Sequence, residues 1–436
     1  MCGIIAAASN RNVGKLLVKG LHKMEYRGYD SAGIALHQND QIAHLRTLGK
    51  VRLLEEKMIS EKPRSKLGIA HTRWATHGEP SEENAHPHKS NERVYIVHNG
   101  IIENYLDLKK FLKKEGYSFT SQTDSELIAH MIEYFLSKGN SMLDSMYLTK
   151  EKLDGAYAIA AIDKEDSNNI IIARNKSPLL IGIGVDEYFA ASDPLAIALW
   201  TNEFIFLEDG DVAVLSSEEY KIFDESKKEA EREISHIDIS SQATSKGEFK
   251  HFMEKEIYEQ PEAILNTIDG RVGGDDVLDN IFGIGSSEIF EKVKRIQIVA
   301  CGTSLHAGRV AANWLSAIAE LPTQIDYASE YRYKNPHVDE DSLLVTISQS
   351  GETADTLAAL RYAKEKDYLS TLSVCNVPTS SLARESQYSI FTNAGPEIGV
   401  ASTKAFTTQL AALMLLTLAL AKSRDKNPKL RTRVIT

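Results

Sequence analysis

The chain has 436 residues, 42% of them apolar and 25% charged, an ordinary balance for a folded globular protein of two or three domains. Its net charge of −11 argues against non-specific nucleic-acid binding and for a small-molecule task. Three cysteines, Cys2, Cys301 and Cys375, are too few and too scattered for a disulfide framework and fit a reducing cytoplasm.

The first element follows Met1-Cys2-Gly3. Residues 4–8, Ile-Ile-Ala-Ala-Ala, read as a buried strand that would hold Cys2 at its start. With Met1 removed, Cys2 carries a thiol and a free α-amine on one residue, a nucleophile and a base joined through two carbons. The amine's ordinary pKa of about 7.7–8.0 suits a general base. The thiol starts near about 8.5, so modest electrostatic help is expected to make it a thiolate. An ordinary terminus with a chance Cys would look the same. No basic region followed by an apolar core marks a signal peptide.

Residues 13–24 have helical spacing, with Leu16, Leu17, Leu21 and Met24 on one side. Residues 25–33, Glu-Tyr-Arg-Gly-Tyr-Asp-Ser-Ala-Gly, form a polar turn into the strand 34–36, and Arg27 suits either a site cation or a structural tie. A strand at 67–71 leads to Thr72-Arg73-Trp74-Ala75-Thr76-His77-Gly78, a dense loop for mere connection. Arg73 offers the fork that matches a carboxylate, or a surface pair. His86 and His88 invite a zinc reading, but no further ligand lies at suitable spacing, so structural or solvated rings are expected.

The strand 94–98 ends in Asn99-Gly100. An amide beside a glycine N–H supplies two donors aimed at one point, as an oxyanion hole requires; the same dipeptide also marks a hairpin turn. Thr123-Asp124-Ser125-Glu126 precedes a helix over 127–135. There Asp124 is either its cap or a holder for a substrate ammonium. Strands at 157–162, 170–173, 189–193 and 211–215 complete a layered α+β domain. Residues 221–247 are charged and weakly patterned, and read as a domain end and linker. A helix is expected over 251–269, with Phe252, Ile257 and Ile264 inward and Glu254, Glu256, Glu259 and Glu262 on a solvated face.

The rhythm then changes. Strands at 296–300, 323–327, 343–347 and 371–374 alternate with helices, implying a parallel sheet covered on both faces. Ligands in such folds sit beyond the carboxyl ends of strands. Two of those ends carry Cys301-Gly302-Thr303-Ser304 and Ser348-Gln349-Ser350-Gly351-Glu352-Thr353. Hydroxyls, backbone N–H groups and a helix N-terminus suit a phosphate monoester, although Ser and Thr also cap helices. No nucleotide P-loop is present. The stretch 410–421 is expected to be a buried helix, too short to span a bilayer.

Together these motifs resemble known families. The opening Cys2-Gly3-Ile4, the 25–33 stretch, His71 to Gly78, His98-Asn99-Gly100 and Thr123-Asp124 resemble the N-terminal-nucleophile glutamine amidotransferases. Residues 301–304, 348–353 and Gly399-Val400-Ala401-Ser402-Thr403-Lys404 resemble a sugar isomerase (SIS) domain. In this order, across nearly the whole chain, they resemble the glutamine–fructose-6-phosphate aminotransferase (isomerizing) family, which opens amino-sugar and UDP-N-acetylglucosamine synthesis. The resemblance implies a four-layer αββα N-terminal-nucleophile hydrolase domain over 2–235, a linker over 236–250, a three-layer α/β SIS domain over 251–425 and a polar tail over 426–436.

By the same resemblance, Cys2 attacks the glutamine amide with its own amine as base, and Asn99 and Gly100 stabilise the oxyanion. Arg73, Thr76 and His77 hold the substrate carboxylate, Asp124 its ammonium, and Trp74 gates ammonia. Thr303, Ser304, Ser348, Gln349, Ser350 and Thr353 bind the sugar phosphate, with Val400, Ala401 and Ser402 beside the sugar. Glutamine and fructose 6-phosphate are the implied partners of a cytoplasmic enzyme, a homodimer at full length, with no metal, organic cofactor, nucleic acid or membrane. The family pattern continues with a second SIS domain and a tail supplying the acid–base Glu, His and Lys of the isomerisation. The chain is therefore expected to be a fragment or a truncated product, competent as a glutaminase but not as an isomerase. Its 410–421 helix is expected to be under-packed and its solubility poor. The alternatives are an amidophosphoribosyltransferase-like enzyme, whose diphosphate-sugar motif is absent, and a SIS-type regulator, which would not need Cys2, Arg73 and Asn99 together.

Overall fold

The computed structural model describes residues 2–25, 28–38, 40–74, 78–237 and 246–435, in two compact units, Met1–Ser241 and Gln242–Thr436. In the first, the strands in chain order are β1 (Gly3–Ser9), β2 (Ser31–Gln38), β3 (Gln41–Leu48), β4 (Leu67–Arg73), β5 (His88–Ser90), β6 (Val94–Ile102), β7 (Gly155–Asp163), β8 (Ile170–Asn175), β9 (Leu180–Gly184), β10 (Glu187–Ala191), β11 (Glu203–Phe206), β12 (Val212–Leu215), β13 (Tyr220–Phe223) and β14 (Ile234–His236). They form two sheets, ordered β14-β11-β9-β10-β1-β4-β2-β3 and β13-β12-β8-β7-β6-β5. The period-2 alternation of β1 explains its continuous apolar run. Ile4, Ala6 and Ala8 face the core between the sheets, while Ile5 and Ala7 face the helices α1 (Gly14–Met24) and α2 (Val51–Glu61). On the other sheet Ile159 and Ala161 of β7 meet α4 (Glu126–Ser137) and α5 (Met142–Lys150), beside α3 (Tyr105–Lys114). The result is four layers, αββα, with Cys2 at the start of a central strand.

In the second unit α6 (Phe252–Tyr258), α7 (Gln260–Ile268), the short strands β15 (Val272–Gly273) and β16 (Asp276–Val277), and α8 (Ser286–Lys292) lead into β17 (Arg295–Ala300), α9 (Gly302–Ile318), β18 (Thr323–Tyr327), α10 (Ala328–Tyr331), β19 (Ser342–Ser348), α11 (Ala354–Lys364), β20 (Ser370–Cys375), α12 (Ser381–Glu385) and β21 (Tyr388–Phe391); α13 (Lys404–Ser423) and α14 (Pro428–Ile435) follow. The sheet is parallel, ordered β18-β17-β19-β20-β21. Ile298 and Val345 face α9 and α13, whereas Val299 and Leu344 face α10, α11 and α12. The strand order reverses between β17 and β19, the switch point at which such sheets open a ligand crevice.

Several expectations change. The 251–269 helix is two helices, because Pro261 starts a new one. Two positions also change places: Ile257 is 45% exposed and Glu256 only 2%, while Glu254 and Glu262 are exposed as expected. Within 221–247, β13 and β14 pair with β12 and β11 at the end of the first unit; residues 238–245 lie outside the described residues. The tail over 426–436 is not unpatterned: α14 docks by its buried Arg431, which pairs with Asp276 at 3.0 Å. Nor is the 410–421 helix under-packed. It belongs to the 20-residue α13, long and apolar enough to cross a membrane, whose Leu413, Leu415, Leu416, Leu418 and Leu420 are all buried in the core.

Candidate functional site

Cys2 is partly buried at the head of β1. Its Sγ accepts a hydrogen bond from the Trp74 N–H at 3.3 Å and lies 3.6 Å from the Trp74 carbonyl. Burial pushes the thiol up from its ordinary value, against the opposing pull of the Trp74 backbone and of Arg73. Burial thus works against the ready thiolate expected from sequence. A neutral thiol here needs a base at the moment of attack.

Asn99 and Gly100 do not form a hairpin turn. They continue β6, in register with Ala158 and Tyr157 of β7. Gly100 has φ +137, and a Cβ there would lie 1.9 Å from the Ala156 carbonyl oxygen, so only glycine fits. The Asn99 amide is fixed from both sides. Its Nδ2 donates to the Cys2 carbonyl at 3.1 Å, and its Oδ1 faces His71 Nε2 at 2.9 Å. That same Nε2 lies 3.1 Å from the His98 carbonyl. A carbonyl can only accept, so Nε2 carries the proton and the Asn99 atom facing it is the oxygen. The amide nitrogen is thereby held toward the thiol end, with its second proton available for an oxyanion. Sequence reasoning gave His71 no role; its place two residues before Arg73 on β4 was the available signal.

Arg73 closes β4, is 4% exposed, and donates from Nη2 to the Gly78 carbonyl at 3.3 Å. Trp74 is 40% exposed and meets Tyr29 edge-on at 5.2 Å. Thr76, His77 and Arg27 lie outside the described residues. Asp124 does not cap α4, whose N-cap is Ser125. Instead its Oδ2 accepts the Ile102 N–H at 2.8 Å, tying the segment before α4 to the strand that carries Asn99.

Behind Asn99, His71 stacks on His86 at 4.1 Å, and His86 meets His88 at 4.6 Å. Among the described residues no group of three or more His, Cys, Asp or Glu is arranged for a metal. Burial lowers His71 to about 3 and His86 and His88 well below their ordinary value. A folded value below the unfolded one means stability that is whole above about pH 6.5 and is lost as the pH falls toward the folded value. Between pH 6.5 and 5, His71 alone should remove on the order of 2 kcal/mol. The thermal midpoint of the first unit should therefore fall clearly over that window, where ordinary carboxylates do not yet titrate. A midpoint independent of pH from 7.5 to 5 would count against buried neutral rings.

In the second unit the two hydroxyl-rich turns sit side by side at the switch point, because Ala300 of β17 is in register with Ile347 of β19. The helix α9 already begins at Gly302, so Thr303 and Ser304 belong to its first turn rather than to a loop. Their N–H groups have no intrahelical acceptor. Ser304 Oγ accepts from Gln409 Nε2 at 3.1 Å. Across from it, Ser348 Oγ accepts the Gly351 N–H at 3.1 Å and lies 2.9 Å from Thr353 Oγ1, and Ser350 Oγ accepts the Glu352 N–H at 3.2 Å. Gln349 accepts through its carbonyl from Asn376 N–H at 3.1 Å. Thr353 is the N-cap of α11, with no side-chain cap bond. Val400, 74% exposed, and Ala401 and Ser402 lie on the loop between β21 and α13.

A family model for a glutamine amidotransferase domain matches residues 71–198, and one for a SIS domain matches 289–419. A glutamine–fructose-6-phosphate aminotransferase (isomerizing) of Haemophilus influenzae is 51% identical over 424 residues, covering 97% of this chain and 69% of that one. The protein of the same name from Shewanella oneidensis is 48% identical over 434 residues, covering 100% and 71%. The chain belongs to the glutamine–fructose-6-phosphate aminotransferase (isomerizing) family. A solved C-terminal domain of glucosamine-fructose-6-phosphate aminotransferase from Francisella tularensis is 49% identical, with TM-score 0.43, over 44% of this chain and 54% of that one.

As a member of this aminotransferase family the chain is an enzyme, and the amidophosphoribosyltransferase and regulator alternatives fall away. The two matched segments lie one in each compact unit. The helices α6 and α7 precede the SIS match, yet Glu256 reaches the loop that carries Val400 and Glu259 reaches Lys404 at the start of α13, connections that their sequence did not announce.

Proposed function

We propose that the chain takes glutamine on residues 2–235 and frees ammonia there, and that residues 251–425 bind fructose 6-phosphate, the sugar phosphate which that ammonia aminates to glucosamine 6-phosphate in the full-length synthase; this chain by itself is competent for the glutamine half alone. The Cys2 α-amine takes the thiol proton and the thiolate adds to the glutamine amide carbon. The oxyanion forms against Asn99 Nδ2 and the Gly100 N–H. The amine returns the proton to the leaving ammonia, and water then hydrolyses the thioester to glutamate. Arg73, Thr76 and His77 bind the α-carboxylate, Asp124 binds the ammonium, and Trp74 gates ammonia. Thr303, Ser304, Ser348, Gln349, Ser350 and Thr353 receive the phosphate, with Val400, Ala401 and Ser402 beside the sugar. This chemistry asks for no metal or organic cofactor, and the enzyme works in the cytoplasm, as a homodimer at full length.

The observation that carries this reading is the Asn99 amide held against the Cys2 carbonyl at 3.1 Å, beside a strand position that admits only glycine. The test is glutamate release from glutamine by wild type and by Arg73→Lys, which keeps the charge and loses the fork. The KM for glutamine should rise about tenfold or more, the worth of a charge-assisted hydrogen bond. An amide substrate lacking the α-carboxylate should be affected much less. Equal losses on both substrates would make Arg73 structural, and no glutamate release by wild type would remove the reading.

A further inference from the structure

The loop between β21 and α13 and the first residue of that helix are held by three carboxylates, two of them from the α6–α7 segment. Glu397 caps α13 from within the loop: its Oε1 accepts the Thr403 and Ala405 N–H groups at 2.8 and 3.0 Å, and its Oε2 accepts Ser402 Oγ at 3.2 Å. Glu259 of the α6–α7 corner pairs with the buried Lys404 at 2.7 Å. Glu256, on α6, reaches across 143 residues of sequence. Its Oε1 accepts the N–H groups of Ile398 and Gly399 at 2.5 and 2.9 Å, and its Oε2 lies 3.1 Å from the Gly399 nitrogen. A Cβ on Gly399 would come within 2.4 Å of that Oε2, so the glycine is what lets the carboxylate seat against the backbone.

A surface glutamate gains little from such a position. A carboxylate 2% exposed carries a desolvation penalty that only well-made hydrogen bonds offset. Here those bonds go to consecutive backbone N–H groups immediately before Val400, which is 74% exposed at the loop tip. The loop is thus fixed on both sides of residues 400–402 while its tip stays open. Neither Glu256 nor Glu259 falls inside the stretch matched by the SIS family model, 289–419.

We propose that Glu256 is a positioning residue for the sugar site, setting the backbone of residues 398–402 so that the loop tip meets the sugar rather than the phosphate. The inference rests on the placement of the sugar beside Val400 to Ser402 proposed above. It makes the helix that follows the first unit in sequence part of the second unit's substrate recognition.

The test measures binding of fructose 6-phosphate and, separately, of inorganic phosphate to the whole chain by calorimetry. Glu256→Ala should weaken fructose 6-phosphate about tenfold or more, since two partly buried N–H groups lose a charged acceptor, and leave inorganic phosphate unchanged. Glu256→Gln, whose carbonyl can still accept both N–H groups, should restore most of the sugar affinity. Thr353→Ala should weaken both ligands. Equal loss of sugar and phosphate in Glu256→Ala, with no rescue by Gln, would show a merely structural role and overturn the proposal. So would wild-type affinity for the sugar in Glu256→Ala. A wild-type chain that binds neither ligand, or a Thr353→Ala chain that binds phosphate as wild type does, overturns the site placement itself and this inference with it.

Discussion

Cys2→Ala should reduce glutamine hydrolysis to background, a loss of at least about 10⁴-fold, as expected when the nucleophile of a covalent mechanism is removed. The fold should survive, because the side chain is only partly buried and, among the described residues, its hydrogen bonds are with the backbone of Trp74. The elevated thiol adds a second expectation. A thiol that burial keeps protonated depends on a base, and the α-amine on the same residue is in reach. Retention of Met1 converts that amine into an amide with no basic lone pair, and should silence the enzyme as fully as loss of the sulfur. The rate should fall as the pH drops below the amine's range, about 7.7–8.0. His71, lowered to about 3, cannot produce that inflection. The checks are mass spectrometry of the N-terminus together with a pH–rate profile. Full activity in a preparation that keeps Met1 would sink the mechanism.

Asn99→Ala should cost about 10²–10³-fold in kcat, the loss measured when one oxyanion donor is removed, with little change in KM. His71 acts only through Asn99: its Nε2–H holds Oδ1 and so fixes which end of the amide faces Cys2. His71→Ala should therefore lower kcat about tenfold, the worth of one buried hydrogen bond. In an Asn99→Ala background it should cost nothing further, because the two residues act as a unit. Glutamate-release kinetics on the four proteins settle it. A full tenfold loss persisting in the double variant would assign His71 some other task.

How much of this was legible in the sequence depends on the range of the physics involved. β1, β17 and β19 were readable as strands because both of their faces are covered, which leaves a continuous apolar run. The strand-loop-helix rhythm of 295–375 implied a parallel sheet, and its switch point followed from strand order. Asn99-Gly100 misled at the local level: the dipeptide favours a turn, but pairing of Gly100 with Tyr157 keeps it in the strand. The upward push on the Cys2 thiol was invisible, since its burial is a tertiary fact. Glu256 was hidden among four glutamates that look like a wet helix face by count, and its partners lie 142 and 143 residues away. Arg431 was hidden likewise, its acid being Asp276, 155 residues earlier. Local pattern reports apolar faces well. It does not report which charged side chains will be desolvated by a distant loop.

The pairing of β1 also dictates when the nucleophile becomes fixed. The strand lies between β4 and β10 in the sheet, so one of its neighbours is residues 67–72 and the other is residues 187–191. A ribosome adding about 5–20 residues per second takes roughly 10–40 seconds to reach the second partner. Until then the segment that starts with Cys2 has one open edge. Contacts of such long sequence separation form late in folding. The first residues made are thus among the last to be locked in place, and the trimming of Met1 has that whole interval in which to act on an accessible terminus.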